Sequence, residues 1–574
     1  MDAEADTLGI LLAMDDGRVG IDDPLDSKST REGQRPREND PKHYYRPGGD
    51  PNDLAAQGWS LIVPEGSVGD RLVEIARPLV EKRADDQGLS RDEVKVFRVS
   101  ADPRLRTPEG AMEWSHTHYD DRKRSSEDVP LYQLILGDLD QVPLAIQQRQ
   151  SLAGRVGRLH FDDEQGYEAY IDKLLRWERA APQRTPGRVV FHTAHDGSGA
   201  LKAGHAGLIA PLLELMNAEQ ERGRSVAGAI EVGGGVPLEM DIDGFFERAE
   251  SREAGVLFTM SHGLGGPRDG WKREEDRRAR QGAMMFGLEG SVTGAELAKR
   301  TFMPGGVWFM FACYSAGTPD VSAYQHWLAR LASLGKIKNT DVLASLKGAK
   351  PFIAALPQRV LANPDGPLAF VGHVDLAWSY SFQDGDDATK RRPGQFQRIV
   401  EPMLRADRMG VAVSELARAQ ADAETGLAGY YDEDARTSSK TGDEARRAFL
   451  WMQRNDLAGY VLLGDPAARL PVSPPAKKSA KSAASMLFAP AASAQPAAVT
   501  APAVSAQPAT TVTPSVALPA SVDATKLERA ICDQVGGMST TKKLAASCGL
   551  DPETFEKLAK IYRDAGRAAL GIKS

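Results

Sequence analysis

Cysteine is scarce in this chain: its 574 residues include three, Cys313, Cys532 and Cys548. So low and odd a number excludes a disulfide scaffold and fits a reducing compartment. Positive charge is not in excess either. Lys and Arg number 71 against 79 Asp and Glu, a formal net charge of -8, so no chain-wide basic field marks a nucleic-acid binder. A membrane span is not expected. The uncharged stretch from Ser482 to Ser521 has the length for one, but Pro490, Pro496, Pro502, Pro508, Pro514 and Pro519 interrupt it. It reads as an extended linker, because proline favours polyproline II and removes backbone donors. The opening residues Met1 to Asp6 are acidic, whereas a secretory signal opens basic and then turns apolar. The expected location is the cytoplasm.

What is present is ordinary globular material, 41% hydrophobic and 26% charged. Residues 1–52 are polar and broken and read as a flexible arm. Residues 53–182 alternate short apolar runs with an amphipathic stretch, an α/β subdomain. Its runs are Trp59 to Val63, Val94 to Val99 and Leu131 to Leu136; Leu72, Ile75, Leu79 and Val80 lie at helical spacing between the first two. Residues 183–472 form a second α/β block. Arg188 to His192, Gly255 to Met260, Val307 to Ala312, Phe352 to Leu356 and Leu368 to Gly372 are continuous apolar runs, as in strands buried on both faces of a parallel sheet. Residues 394–460 read as helical, and Tyr460 to Leu463 as a last strand. Residues 473–522 are the Pro/Ala-rich linker. Residues 523–574 form a small all-α module, with Asp551 and Pro552 opening a helix that carries Phe555, Leu558 and Tyr562 on one face.

Two glycine-flanked turns follow buried runs. One is Ser261-His262-Gly263-Leu264-Gly265-Gly266; the other is Phe311-Ala312-Cys313-Tyr314-Ser315-Ala316-Gly317. In an open parallel sheet, ligands bind beyond the carboxyl ends of strands. A histidine and a cysteine there face one crevice, with a nucleophile in Cys313 and an acid/base group in His262. Gly263 lets a backbone N–H approach a carbonyl oxygen, and with the N–H of Cys313 it makes a candidate oxyanion hole.

This pair, in this order and 51 residues apart, resembles the His and Cys motifs of the caspase-like cysteine proteases, whose histidine precedes the cysteine by about 50 residues in caspases. The clan includes caspases, gingipains, separases and CHAT-domain proteases. Leu134 to Asp138, Val156 to Leu159, Gly372 to Asp375 and Leu463 to Pro466 resemble its gingipain and CHAT side, over residues 55–470. The resemblance implies a caspase-like, mostly parallel sheet with flanking helices and a cysteine endopeptidase acting through a thioester. It implies Cys313 as nucleophile, His262 as acid/base, and the Gly263 and Cys313 amides as oxyanion donors. Phe311 stands where caspases carry Gln, so cleavage after a given residue type does not follow. Asp196, Phe311 and Asp375 are candidate substrate-binding residues, with Asp320 a further acidic candidate. The resemblance also admits a role in bacterial signalling, cell death or phage defence.

The remaining features point elsewhere. His192 and His195 lack a third and fourth ligand, so no metal is expected. Gly233-Gly234-Gly235 lacks the Lys-Ser/Thr of a phosphate loop, and no cofactor is expected. His373, before Val374 and Asp375 at another strand end, either borders the cleft or is a core or sheet-edge histidine hydrogen-bonded to Asp375. The mixed-charge run Arg268 to Arg280 is a solvated helix or a lid beside the His turn. The tail, with nine Lys/Arg and seven Asp/Glu, fits a protein partner better than nucleic acid. The expected substrate is protein or peptide. The rival reading is a non-catalytic peptide-binding scaffold whose tail recruits a partner.

Overall fold

The computed structural model describes residues 49–119, 129–180, 182, 185–234, 242–267, 270–287, 290–337, 350–384, 390–437 and 444–473. It also describes three short strands before residue 27 and residues 545, 550–555 and 557. The chain divides into two compact units, residues 1–478 and 479–574.

The first unit is built on one ten-stranded sheet. Its strands in chain order are β1 Trp59–Pro64, β2 Lys95–Val99, β3 Tyr132–Leu136, β4 Arg155–Leu159, β5 Arg188–Thr193, β6 Ile230–Gly233, β7 Gly255–Met260, β8 Val307–Phe311, β9 Ala369–His373 and β10 Tyr460–Leu463. Across the sheet they run β2-β1-β3-β4-β10-β9-β8-β7-β5-β6. Every neighbouring pair is parallel except β9 and β10. Two parallel halves therefore meet in opposite directions at that seam.

The continuous apolar runs have their expected cause: β1, β3, β5, β7, β8, β9 and β10 are buried at every position. Helices cover the sheet, because both faces of such strands need apolar cover. The longest helices are Glu164–Arg179, Met409–Thr437 and Glu444–Ala458. No helix among the described residues is long and apolar enough to cross a membrane.

Two expectations change. The run Phe352 to Leu356 holds only a two-residue strand, Phe352–Ile353, and continues as the helix Ala355–Ala362. Pro357 lies in that helix's first turn, where a missing N–H costs nothing. The charged run after the His turn is not wholly solvated either. In its helix Glu274–Arg280, Arg277 is buried, and Arg278 reaches the Asp138 carboxylate at 3.2 Å and lies over the Phe352 ring.

The two Leu-Gly-Asp turns are structural anchors. Gly137 and Gly464 have φ of 123° and 125°, a region that glycine alone enters without strain. Asp138 accepts from the Ile353 and Leu139 amides, and Asp465 from the Trp59 indole and Arg83. In the second unit, Asp551 caps the helical residues 552–555 by accepting from the Glu553 and Thr554 amides. Leu558 and Tyr562, and residues 474–522 of the linker 473–522, lie outside the described residues.

Candidate active site

The sheet register brings the two turns together. β7 and β8 are parallel neighbours, and Met260 pairs with Phe311. His262 and Cys313 each lie two residues beyond that pair, so they leave adjacent strands at the same level. Adjacent strands are about 4.8 Å apart. The Ser261 amide donates to the Phe311 carbonyl at 3.2 Å, which extends the pairing to the turn. Gly263 then lies against the Cys313 backbone: a Cβ at Gly263 would stand 1.8 Å from the Cys313 carbonyl oxygen. No side chain fits there.

β5 flanks β7 on its other side, with Thr193 paired to Met260. The loop after β5 carries Asp196 and Ser198 to the imidazole of His262. Ser198 Oγ lies 2.9 Å and Asp196 Oδ2 3.3 Å from His262 Nε2. This clasp is itself hydrogen-bonded in place. Asp196 Oδ1 accepts from the Ser198 amide at 2.9 Å, and Ser198 Oγ caps the helix Gly199–Gly204. Asp196 thus stands on the histidine, whereas the sequence suggested it as a wall of the substrate pocket. The signal was present in the order Asp196-Gly197-Ser198 at a strand end, but the contact to a loop 64 residues later is set by strand order.

The loop after β9 holds Cys313. The Ala377 amide donates to Cys313 Sγ at 3.3 Å, and the thiol lies 3.7 Å from the Ala377 carbonyl. Cys313 is fully buried. Burial pushes its pKa well up, the Ala377 amide opposes that, and the charges of Asp375 and Asp456 add to the rise. The thiol in this structure is therefore covered, and burial favours its neutral form. Backbone strain brackets it: Tyr314 has φ of 56° and Asp375 of 99°, both rare for residues with a side chain. The Tyr314 amide donates to the Asp375 carbonyl, tying one strained residue to the other.

Of the other candidates, Phe311 and Asp375 are buried within the protein, whereas Asp320 is partly exposed. Phe311 packs edge-on to Phe382. The Asp375 carboxylate accepts from the Leu376 amide at 2.7 Å and the Ala323 amide at 2.9 Å, and burial raises its pKa to about 6. Asp320 pairs with Arg106 at 3.6 Å.

His373 is a core histidine whose partner is Asp456, which the sequence did not bring to notice. Nε2 lies 2.8 Å from the Asp456 carbonyl and 3.4 Å from its carboxylate, and this partner raises the imidazole pKa against the effect of burial. The same carboxylate accepts from the Trp378 and Ser381 amides at 2.8 Å. Asp456 therefore rivets the loop that covers Cys313. His192 packs among Phe245 and Phe286, and the His195 ring stands 4.9 Å from that of His205. Among the described residues, no group of three His, Cys, Asp or Glu side chains is arranged to hold a metal.

No protein-family model matches the chain, and no curated protein sequence matches it. Among solved structures, similarity extends to a protein described as a protease, at a TM-score of 0.41 and 13% identity over 73% of this chain and 80% of that one. It extends also to the Arg-specific cysteine proteinase gingipain R, at 0.38 and 12% over 74% and 80%. A third is the complex of the pro- and mature domains of Porphyromonas gingivalis RgpB, at 0.36 and 13% over 72% and 79%. Similarity at this level names no family.

Proposed function

We propose that the chain is a caspase-like cysteine endopeptidase whose dyad is His262 and Cys313. The observation that carries this reading is the register of β7 and β8, which sets the two turns side by side with Gly263 against Cys313. Asp196, near Nε2, favours the tautomer that carries its proton there and supports the imidazolium when it forms. The nitrogen that exchanges a proton with the thiol is then Nδ1.

In the proposed cycle His262 takes the Cys313 proton, and the sulfur attacks a peptide carbonyl carbon. The oxyanion is held by the amides of Gly263 and Cys313. Collapse breaks the C–N bond, His262 gives its proton to the leaving amine, and a thioester remains. Water, activated by the same imidazole, hydrolyses the thioester and frees Cys313. The covered thiol makes the form described here a resting one, so activation includes displacement of Ala377. The tethered module 523–574 is proposed to recruit a protein partner.

The buried thiol also favours the scaffold reading, in which the crevice binds peptide without cutting it. An electrophilic peptide separates the two. A peptidase is labelled at Cys313 in preference to Cys532 and Cys548, and Cys313→Ala abolishes that labelling. A scaffold shows no preference for Cys313.

A further inference from the structure

The strand after His262 belongs to a second, four-stranded sheet, in the order Ser291–Val292, Met284–Met285, Gly263–Gly266, Leu12–Met14. Gly263 pairs antiparallel with Met284 on one edge. On the other edge, Leu12–Met14 runs parallel, with Gly263 opposite Leu12, Leu264 opposite Ala13, and Gly266 opposite Met14 after an irregularity. Three of the four residues Gly263–Gly266 are glycine. Glycine weakens a strand by itself, and it marks places where another backbone approaches closely. One approach is accounted for, since Gly263 touches the Cys313 backbone. The outer edge is the other. Its N–H and C=O groups form a ready template for an extended segment, and it begins at the residue after His262.

We propose that this outer edge is a docking site for an extended peptide backbone, and that the chain's own residues Leu12–Met14 occupy it and hold the site closed. Strand addition draws its affinity from main-chain hydrogen bonds, so it asks little of the occupant's side chains. The edge suits a segment of the same chain, which docks without losing the translational freedom of a separate partner. The occupant lies along Gly263, the proposed oxyanion donor, so a substrate reaches that amide only after Leu12–Met14 has left. This inference rests on the peptidase reading only for its consequence; the docking stands or falls separately.

The test uses full-length protein with Ala13→Pro, Met14→Pro and the double substitution. Alternate amides along a strand point to opposite sides, so one of two adjacent prolines removes a donor facing the edge. The readouts are hydrogen exchange at the amides of residues 263–266 and alkylation of Cys313 by iodoacetamide. At least one single variant, and the double, should exchange about tenfold faster or more at 263–266, while residues 255–260 and 307–311 keep their protection. Cys313 alkylation should accelerate in the same variants. Unchanged exchange at 263–266 in all three overturns the proposal. Protection that persists in the variants and falls on dilution assigns the edge to a second copy and overturns it equally. Faster exchange and alkylation without peptide cleavage would uphold the docking and count against the peptidase.

Discussion

Gly263→Ala is the most revealing single substitution. The added Cβ would lie 1.8 Å from the Cys313 carbonyl oxygen, 2.8 Å from its carbonyl carbon and 3.2 Å from its nitrogen. All three are backbone atoms at the end of a buried strand, so no flexible side chain gives way. Relief requires the two turns to separate by about 1 Å or more, since carbon and its neighbours settle at about 3.5–4.0 Å. Overpacking of this kind costs about 1–3 kcal/mol, and the rigidity of both partners places this case at the upper end. Misplacing reacting groups by about 1 Å also costs about a hundredfold in rate. The assay pairs urea denaturation, followed by tryptophan fluorescence, with the rate of Cys313 acylation by an electrophilic peptide. Gly429→Ala is the control: it lies within the helix Met409–Thr437 and nothing stands within 4 Å of the new Cβ. Alanine there should be neutral or stabilising by up to about 1 kcal/mol. If Gly263→Ala unfolds at the same urea concentration as the parent, the close contact of the two turns is refuted.

Three further substitutions test other parts of the account. Asp196→Asn keeps the shape beside His262 but loses the charge, and peptidase activity should fall about 10²–10⁴-fold with little change in stability; a loss under threefold would separate Asp196 from the chemistry. Asp456→Ala strands the buried His373 and the amides of Trp378 and Ser381, so it should cost about 3–5 kcal/mol and speed Cys313 alkylation; alkylation at the parental rate would show that Asp456 does not hold the covering loop. The third is a pH test. Burial raises the Asp375 carboxyl to about 6 in the folded chain, against an ordinary value near 3.8. Between those values the folded state keeps a proton that the unfolded state has lost, so this group's contribution to stability falls as pH rises from about 4 to 6, by up to about 3 kcal/mol. Urea midpoints of the parent relative to Asp375→Asn should decline over that range, and a difference independent of pH would contradict it.

The sequence was most legible where burial is complete. Continuous runs such as Val256 to Met260 and Val307 to Phe311 have no polar face to hide, so they read as strands covered on both sides. The turns that follow were legible because histidine, cysteine and glycine stand together immediately after such runs. Sequence position says little, however, about which strands are neighbours. Nothing in Tyr460 to Leu463 announces that the last strand enters the middle of the sheet between β4 and β9. For that reason a single sheet spans residues 53–182 and 183–472, which read as separate α/β blocks. The same reason hid Asp456, one carboxylate on a helix whose partners lie far away in sequence, His373 at the end of β9 and Trp378 and Ser381 in the segment after it. Asp196 was noticed and given another task, because an acidic residue at a strand end suits a pocket wall as well as an imidazole partner. Phe352 to Leu356 was misread over its second half, where apolar character alone does not separate a strand from a buried helix and Pro357 was the better guide.

The central claim is that His262 and Cys313 form a working dyad. The most direct measurement is digestion of a proteome-derived peptide library by the full-length protein and by Cys313→Ala, with new termini read by mass spectrometry. Both are also run with the Ala13→Pro/Met14→Pro substitutions that release the Gly263–Gly266 edge. The account predicts new termini sharing a residue preference, present with Cys313 and absent without it. Identical peptide sets from all four proteins would contradict it.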